Sequence, residues 1–404
     1  MTRSEELTWR GFVNQMTYSD IKQLDEGQIS FYFGVDPSAD SMQIGNLAAA
    51  MMVRHFINYG HQAFLLVGGA TGIIGDPDGK KSEREAQSVE KIASNKAAIA
   101  SQYDTVFAGQ SFTVVDNYDW FKDINYIDFL RMIGKNVPLS QMLGREFVQS
   151  RLGEGGNGIS YAEFSYSLIQ GYDFLHLYRE HGVTLQVCGA DQWGNSVAGI
   201  DLIRRIENAE ANVYSVPLIY NTTTGVKFGK SEDGAIWLDD KKTTVYQFYQ
   251  FWLNTDDAGV IDYLKVFTLL SREEIDAAAN EQQANPAGRS AQKLLAQCVT
   301  DIVHGNDRRE SVQRVTEVLF GGADFSGLSD EDVNALAAEI PASYIGVSVV
   351  EAIVSSGQAG SNGEAKRLIE SGAISLNGQK VDVDSVLESC SLIKKGKNSF
   401  ILVK

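Results

Sequence analysis

The sequence predicts an α/β protein, in which a parallel sheet with helices on both faces is followed by a helical part and a small α+β part. In the first half, short apolar runs rich in β-formers alternate with helical patterns. From Val245 to about Phe320 the pattern is helical, and residues 345–404 return to short helices and strands. The predicted strands of the sheet are ISFYFGV (29–35), QAFLLV (62–67), VTLQV (183–187) and VYSVPLIY (213–220).

The spacing of these patterns predicts several domains. A chain of 404 residues is too long for one ordinary core. Roughly a hundred residues separate the second and third strands, more than a simple crossover needs, so we expect an insertion at about 105–155 that carries extra helices and an interface. The expected parts are a sheet domain at 1–220, a loop and helical domain at 221–320, a linker at 321–344 and a small domain at 345–404.

Composition excludes a membrane protein and a disulfide-rich one. No apolar run approaches the roughly 18 residues that span a bilayer, and the N-terminus lacks both a signal core and transit-peptide character. The cysteines, Cys188, Cys298 and Cys390, lie too far apart to suggest a disulfide framework or a paired-thiolate zinc site. We therefore expect a cytoplasmic protein with no tightly bound metal.

The charge balance excludes a protein that coats nucleic acid indiscriminately. The formal net charge is −17, whereas phosphate binding needs a positive surface. Residues 345–404 carry seven Lys or Arg against six Asp or Glu. Any contact with nucleic acid is therefore expected to be local.

The first strand leads through a sharp loop into a helix that begins QIGN (43–46). A helix N-terminus beside the carboxyl end of a parallel strand attracts phosphate esters. Gly45 would let a ligand reach the backbone, and Gln43 and Asn46 can each donate an amide N–H to a phosphate oxygen. The alternative is that QIGN only caps its helix.

The second strand is followed by GGATGIIGDPDGKKSER (68–84). Its glycines at 68, 69, 72 and 75 would allow a flat substrate to approach the backbone, and Asp76 can hold an ammonium group. The alternative is a tight turn packed against the sheet.

Two further stretches place polar side chains near the strand ends. In YAEFSYSLIQGYDF (161–174), Tyr166, Gln170 and Asp173 share one face of a helix. In CGADQWGN (188–195), Asp191 and Gln192 follow the third strand. A solvated helix face is the alternative for the first stretch alone, but together the two clusters indicate a site for a small zwitterion.

After the last strand, NTTTGVKFGKSEDG (221–234) contains Lys227 and Lys230 beside Gly229 and Ser231. Mobile lysines next to glycine can close on a polyphosphate and neutralise developing charge. The alternative is a solvated basic turn.

In this order, the motifs resemble those of bacterial-type tyrosyl-tRNA synthetases, class I aminoacyl-tRNA synthetases. The resemblance runs along nearly the whole chain and rests on YFGVDPSADS, LVGGATGIIGDP, LIQGYDF, GADQWGN, KFGKS and YQFYQFWLNTDD. It implies a Rossmann-like catalytic domain with a helical insertion, then a helical anticodon-region domain and a small ribosomal-protein-type RNA-binding domain. One departure is that Gln43 and Asn46 replace both histidines of the HIGH signature. Because those histidines donate hydrogen bonds to ATP, carboxamides can replace them, and a poor donor would slow activation about a hundredfold.

The resemblance also implies partners and residue roles. The expected partners are L-tyrosine, ATP with Mg²⁺, the tRNA for tyrosine and a second copy of the chain. Around tyrosine, it implies Tyr32 and Asp173 at the phenol, Tyr166, Gln170 and Asp76 at the ammonium group, and Asn117 and Gln192 in support. Along ATP, it implies contacts from Gly34, Asp36, Gly45, Gly189, Asp191 and Lys230. The catalytic residues that it implies are Gln43, Asn46, Lys227, Lys230 and Ser231. Lys80 and Arg84 would add positive charge from a loop. For tRNA, it implies Lys366, Arg367, Lys394, Lys395 and Lys397.

Two alternatives to a tyrosine–tRNA ligase stay open from the sequence. One is a paralogue that activates a modified tyrosine or uses a different acceptor, as the unusual QIGN allows. The other is an RNA-binding or splicing factor with weakened catalysis, which the intact KFGKS and GADQWGN motifs disfavour. A tryptophan enzyme is a near neighbour, but Tyr32 and Asp173 supply a pair suited to a phenol.

Overall fold

The computed structural model describes residues 1–77, 87–153, 155–228, 230–231 and 234–404, with only the backbone of residues 146, 147, 230 and 231. The chain divides into two compact units. Unit 1 comprises Met1–Thr243 and Trp252–Val303, and unit 2 comprises Thr244–Phe251 and His304–Lys404. No helix in the described ranges is both long and apolar enough to cross a membrane.

Unit 1 contains a six-stranded sheet. Its spatial order is β1-β6-β5-β2-β3-β4, in which β1 pairs antiparallel with β6 and every other pair is parallel. The α/β class predicted from the sequence is therefore confirmed. The strands are β1 (Gln15–Met16), β2 (Ser30–Val35), β3 (Gln62–Val67), β4 (Phe112–Asp116), β5 (Leu185–Gly189) and β6 (Asn212–Val216).

Two features of the sheet correct the sequence interpretation. Residues 112–116, within the predicted insertion, form edge strand β4 of the sheet itself, paired with β3. Strand β6 ends at Val216 instead of Tyr220, because Pro217 has no N–H to continue the ladder. A separate short hairpin pairs β7 (Lys230–Ser231) with β8 (Gly234–Ala235).

Helices cover the sheet and form most of the rest of the unit. Those that begin in unit 1 or cross its boundary are α1 (Arg3–Arg10), α2 (Ile44–Asn58), α3 (Gly69–Ile74), α4 (Val89–Val106), α5 (Tyr118–Phe121), α6 (Tyr126–Met132), α7 (Leu139–Leu143), α8 (Glu146–Leu152), α9 (Tyr161–His181), α10 (Trp193–Glu207), α11 (Val245–Leu253), α12 (Val260–Phe267), α13 (Arg272–Ala284) and α14 (Ser290–His304). The predicted capping box is present at α13, where Ser271 and Glu274 bond each other's backbone N–H.

The central strands are buried on both faces, which explains their continuous apolar runs. On one face, Tyr32, Phe64 and Leu66 belong to a core with α9 and α10. On the other face, Phe31 contacts Phe56 of α2, with ring centroids 5.3 Å apart. Successive residues of β2 therefore point to different cores, and Tyr32 points toward α9.

Helices α9 and α10 approach closely because each contributes a glycine where they meet. A Cβ on Gly199 would lie 2.8 Å from Phe174 Cβ, and one on Gly171 would lie 3.1 Å from Leu202. Both distances are shorter than ordinary contacts, so larger residues would push the helices apart. This close packing fixes the side chains that α9 presents to the strand ends.

Unit 2 contains a five-stranded sheet and short helices. Residues predicted as a linker are packed in it, because Phe325 and Leu336 share a core with Leu392, Phe400 and Leu402. The predicted small α+β fold is present. Its elements are α15 (Asn306–Thr316), α16 (Asp330–Ala337), β9 (Ala342–Ser343), α17 (Val349–Ser355), α18 (Asn362–Glu370), β10 (Ile374–Leu376), β11 (Gln379–Lys380), β12 (Ser391–Lys395) and β13 (Ser399–Val403).

Candidate active site

A cavity of about 540 Å³ opens at the carboxyl ends of β2 and β5, between the first turn of α2 and the middle of α9. This is the position where open parallel sheets bind their ligands. Most of the residues predicted for tyrosine and ATP line it. These are Tyr32, Gly34, Asp36, Gln43, Gly45, Asn46, Asp76, Tyr166, Gln170, Asp173, Gly189, Asp191, Gln192 and Lys227.

Tyr32 and Asp173 form a buried polar pair in the cavity wall. Each side chain is 2% exposed, and the Tyr32 ring packs against Phe174. Within the described part of the chain, the Tyr32 hydroxyl makes no hydrogen bond. Burial raises the pKa of Tyr32 well above its usual value, and the Asp173 charge adds to this. A ligand hydroxyl that entered here would satisfy a group whose burial is otherwise costly.

Asp173 is held by two donors, one of which sequence reasoning missed. Asn117 Nδ2 donates to its Oδ2 at 3.1 Å, and Trp120 Nε1 donates to its Oδ1 at 2.9 Å. Burial raises the pKa of Asp173 well above the usual value, and these two bonds oppose the shift. Asn117 was predicted as a supporting contact, and the structure places it behind Asp173 instead of in the cavity lining.

Tyr166 joins a second chain of hydrogen bonds at the cavity wall. Its hydroxyl donates to Asp36 Oδ2 at 2.6 Å, and Thr71 Oγ1 donates to Asp36 Oδ1 at 2.6 Å. Asn117 Nδ2 lies 3.0 Å from Thr71 Oγ1, so the two chains are connected. Because the Tyr166 proton is directed to Asp36, its oxygen offers lone pairs, which suits a ligand ammonium group.

The carboxylate predicted to hold an ammonium group, Asp76, also lies in the cavity wall. Gln192 Nε2 donates to Asp76 Oδ2 at 2.6 Å. Asn195, which the sequence analysis did not single out, donates from Nδ2 to Asp76 Oδ1 at 3.5 Å. Gln170 lines the same cavity from α9.

The glycines after β3 serve the protein's own packing. A Cβ on Gly68 would lie 2.2 Å from Asp36 Oδ1, and one on Gly69 would lie 2.2 Å from Asp116 Oδ1. These glycines therefore make room for carboxylates at neighbouring strand ends. At Gly68 and Gly69 these contacts favour the alternative, a tight turn packed against the sheet.

At the mouth of α2, one side chain has two functions. The Gln43 backbone N–H donates to Asn46 Oδ1 at 3.0 Å, so the Asn46 oxygen caps the helix. Its amide nitrogen is then the atom left to donate toward the cavity, which Asn46 lines. A Cβ at Gly45 would meet no described atom within 4 Å, so close packing in the described chain does not require glycine at this position. Helix capping and phosphate binding are therefore compatible at QIGN.

Lys227 is carried by a hairpin that precedes β7. Phe228 N–H donates to Ile219 O and Asn221 N–H donates to Val226 O, both at 2.8 Å. The Phe228 ring contacts the Tyr263 ring, with centroids 4.4 Å apart. Lys227 Nζ lies 3.8 Å from Asp191 Oδ2. Lys227 therefore lies in an anchored loop, where it forms an isolated β-bridge with Tyr220. Lys230 and Ser231 are described only as backbone of β7, and Lys80 and Arg84 fall outside the described residues.

Residues 24–321 match the family model described as tRNA synthetases class I (W and Y). The chain belongs to this family of class I tRNA synthetases. The resemblance drawn from the motifs is thereby confirmed at the level of the family.

The named relatives of this class I synthetase extend over its whole length. A protein of Bacillus cereus named tyrosine–tRNA ligase 2 is 44% identical, over 99% of this chain and 98% of its own length. The tyrosine–tRNA ligase of Geobacillus kaustophilus is 43% identical over the same shares. A C-terminally truncated mitochondrial tyrosyl-tRNA synthetase of Aspergillus nidulans has a similar structure, with a TM-score of 0.72 and 29% identity over 79% of this chain and 94% of that one.

The predicted tRNA contacts of the synthetase differ in accessibility. Lys366 and Arg367 are exposed on α18, and Lys397 is exposed between β12 and β13. Lys394 Nζ instead donates to Leu319 O at 3.3 Å, and Lys395 Nζ donates to Gln358 O. The first three side chains are therefore better placed to meet a partner than the last two.

Proposed function

We propose that the chain attaches L-tyrosine to the tRNA for tyrosine in two ATP-dependent steps. The observation that carries this proposal is the Tyr32 and Asp173 pair, buried at the end of a cavity with room for an amino acid and a nucleotide. A phenol hydroxyl fits between a buried hydroxyl and a buried carboxyl group, whereas an indole or a phenyl ring would leave both unpaired. The names of the full-length relatives support the same substrate.

In the first step, the carboxylate of tyrosine attacks the α-phosphorus of ATP. The new bond joins a carboxylate oxygen to phosphorus as the bond to the bridging oxygen breaks, and pyrophosphate leaves with the electron pair. Asp76 and Tyr166 orient the ammonium group, so the reacting atoms are held in line. Asn46, Gln43 and the backbone at Gly45 donate to phosphate oxygens, while Lys227 and Lys230 neutralise charge on the leaving pyrophosphate. Mg²⁺ is proposed to enter bound to the ATP phosphates.

In the second step, a ribose hydroxyl of the terminal adenosine attacks the carbonyl carbon of tyrosyl-adenylate. The tyrosyl ester forms, AMP leaves, and the hydroxyl proton passes to a phosphate oxygen or water. No covalent bond to the protein is formed. The work of the chain is positioning and charge stabilisation in both steps.

For the macromolecular partners, we propose that Lys366, Arg367 and Lys397 contact the tRNA backbone, since they are exposed cations of the small domain. We also propose a homodimer through the helices after β4. Large apolar side chains are exposed there, with Ile127 69% and Leu139 60% exposed, and such patches mark interfaces. The cytoplasm remains the proposed compartment.

The test is tyrosine-dependent exchange of pyrophosphate into ATP, followed by charging of tRNA. We expect exchange with tyrosine and little with phenylalanine or tryptophan. We expect Tyr32→Phe to reduce the preference for tyrosine over phenylalanine about fivefold, since one hydrogen bond is worth about 1 kcal/mol. Exchange driven only by a substituted tyrosine would favour the paralogue. RNA binding without any exchange would favour the RNA-binding factor, which the names of the relatives do not favour.

A further inference from the structure

Arg145 connects the helices after β4 to the ammonium end of the cavity. It lies directly before α8, and its guanidinium donates to two groups at the start of α10. Nη1 lies 2.6 Å from Asn195 Oδ1, and Nη2 lies 2.5 Å from the Gly194 carbonyl oxygen. Asn195 is 1% exposed, so this contact ends in the protein interior. Arg145 does not line the cavity.

The contact determines the direction of a hydrogen-bond chain that reaches Asp76. A guanidinium has only donors, so the Asn195 atom facing Arg145 must be its oxygen. The Asn195 nitrogen then faces inward, 3.3 Å from Gln192 Oε1 and 3.5 Å from Asp76 Oδ1. Because Gln192 Oε1 accepts from Asn195, the other amide atom of Gln192, Nε2, faces Asp76 and donates to its Oδ2 at 2.6 Å. Both oxygens of Asp76 thus receive donors whose direction is set at Arg145.

We propose that Arg145 is a positioning residue for the amino-acid substrate, acting through Asn195 and Gln192 on the carboxylate of Asp76. The proposal rests on the proposed function, in which Asp76 holds the ammonium group of tyrosine. Without the guanidinium, the Asn195 oxygen loses the donor that fixes the orientation of the amide. The amide can then rotate out of line, so Asp76 and Gln192 are held less firmly in the position that receives the ligand.

The expected kinetic effect is specific to tyrosine. The contact between Asp76 and the ammonium group is the same before and during the attack on ATP, so losing its alignment weakens binding without slowing the chemical step. We expect Arg145→Met to raise KM for tyrosine and the Kd of tyrosine about tenfold, equivalent to about 1.4 kcal/mol. The exchange kcat and the KM for ATP should stay close to the wild-type values. Arg145→Lys should give a KM for tyrosine between those of the wild type and Arg145→Met, because a single ammonium group replaces the two-pronged guanidinium.

Two further variants make the test decisive. Asn195→Asp keeps an acceptor for Arg145, but it replaces the inward donor with a carboxylate oxygen near Asp76, so it should also raise KM for tyrosine. If Arg145→Met does not fold, Arg145→Lys supplies the comparison. Arg272→Met is the matched control, because Arg272 is 51% exposed on α13, outside the helices after β4, and pairs with Asp276. It should leave all constants unchanged.

The readouts are pyrophosphate exchange and calorimetric binding of L-tyrosine, both without tRNA. If Arg145 served only an RNA contact, both would stay at wild-type values in Arg145→Met and only tRNA charging would fall, which overturns the proposal. Equal loss of kcat and of ATP affinity would also overturn it, since that is general structural damage. A wild-type protein that neither binds tyrosine nor exchanges pyrophosphate would contradict the proposed function instead.

Discussion

At the scale of single residues, Asp173 shows how the site stabilises a buried carboxyl group. A carboxylate at 2% exposure is costly unless donors surround it. Asn117 and Trp120 supply two, from the segment that follows β4. Because burial still raises the pKa of Asp173, a phenol hydroxyl as a further partner would stabilise the pair. We therefore propose that these buried groups select a hydroxylated ring.

Asn46 provides a residue-scale prediction, because its oxygen and nitrogen have different functions. Asn46→Asp keeps an oxygen for the Gln43 N–H and removes the nitrogen that we propose donates to phosphate. We expect unchanged or slightly higher thermal stability, since an acidic side chain suits the first turn of a helix. Pyrophosphate exchange should fall about a hundredfold, because a lost transition-state donor costs about 3 kcal/mol.

The control at this position is Asn46→His, which restores an N–H donor. It should keep exchange within a few-fold of wild type, as should Gln43→His. Exchange that survives in Asn46→Asp would mean that the asparagine is only a helix cap.

The residues of the site differ in how far the sequence could predict them. Tyr166, Gln170 and Asp173 share a helix face, so the helical period alone brings them together. Trp120 contacts Asp173 across 53 residues, and no local pattern marks that pairing. Asn195 is part of GADQWGN, but its link to Asp76 depends on how α10 starts after β5.

At the scale of elements, α9 and α10 must pack closely for the tyrosine site to form. We predict that Gly199→Ala disturbs it, because the new Cβ would lie 2.8 Å from Phe174, whose ring contacts Tyr32. Overpacking of this kind costs about 1–3 kcal/mol of unfolding free energy. Thermal unfolding should show this loss, together with a raised KM for tyrosine.

Gly194→Ala is the matched control in the same helix. No described atom lies within 4 Å of the added Cβ, and alanine favours helix more than glycine. Stability equal to or above wild type is expected. If Gly199→Ala and Gly194→Ala had the same stability and the same KM for tyrosine, the close packing of α9 and α10 would not be what positions Asp173.

At the same scale, elements with strong local signals were predictable and weakly marked ones were not. Strands β2 and β3 are long apolar runs, and their bounds differ little from the prediction. Strand β4 is an edge strand with partly exposed residues, so its pattern is weak and it was assigned to the insertion. The packing of Gly68 and Gly69 was not predictable, because the carboxylates that they accommodate follow or end other strands.

At the scale of the whole molecule, stability should depend on buried neutral histidines. Burial lowers the pKa of His55 to about 3 and that of His61 to about 4, both from 6.5. His61 Nδ1 accepts from Ile29 N–H, which a protonated ring could not do. Below pH 6.5 the unfolded chain takes up protons that the folded chain does not, so each histidine makes folding less favourable as the pH falls toward its folded pKa.

We predict that the wild type loses unfolding free energy relative to His61→Gln when the pH falls from 7 to 5. The expected relative loss is about 1–2 kcal/mol, from urea unfolding at each pH. The comparison uses the difference between two proteins because Asp173 also titrates. Burial raises the pKa of Asp173, so this residue makes the folded protein more stable as the pH falls through its folded pKa. That contribution is the same in both proteins and cancels in the difference. A relative gain for the wild type would show that His61 is charged when folded.

The most direct test of the account is a structure of the protein with L-tyrosine and a non-hydrolysable ATP analogue. We predict the phenol oxygen within about 3.2 Å of Tyr32 Oη and of an Asp173 oxygen, with the ammonium group at Asp76 and Tyr166. The Asn46 amide nitrogen should face a phosphate oxygen. Tyrosine bound outside this cavity, or with its ammonium group at Asp173, would contradict the account.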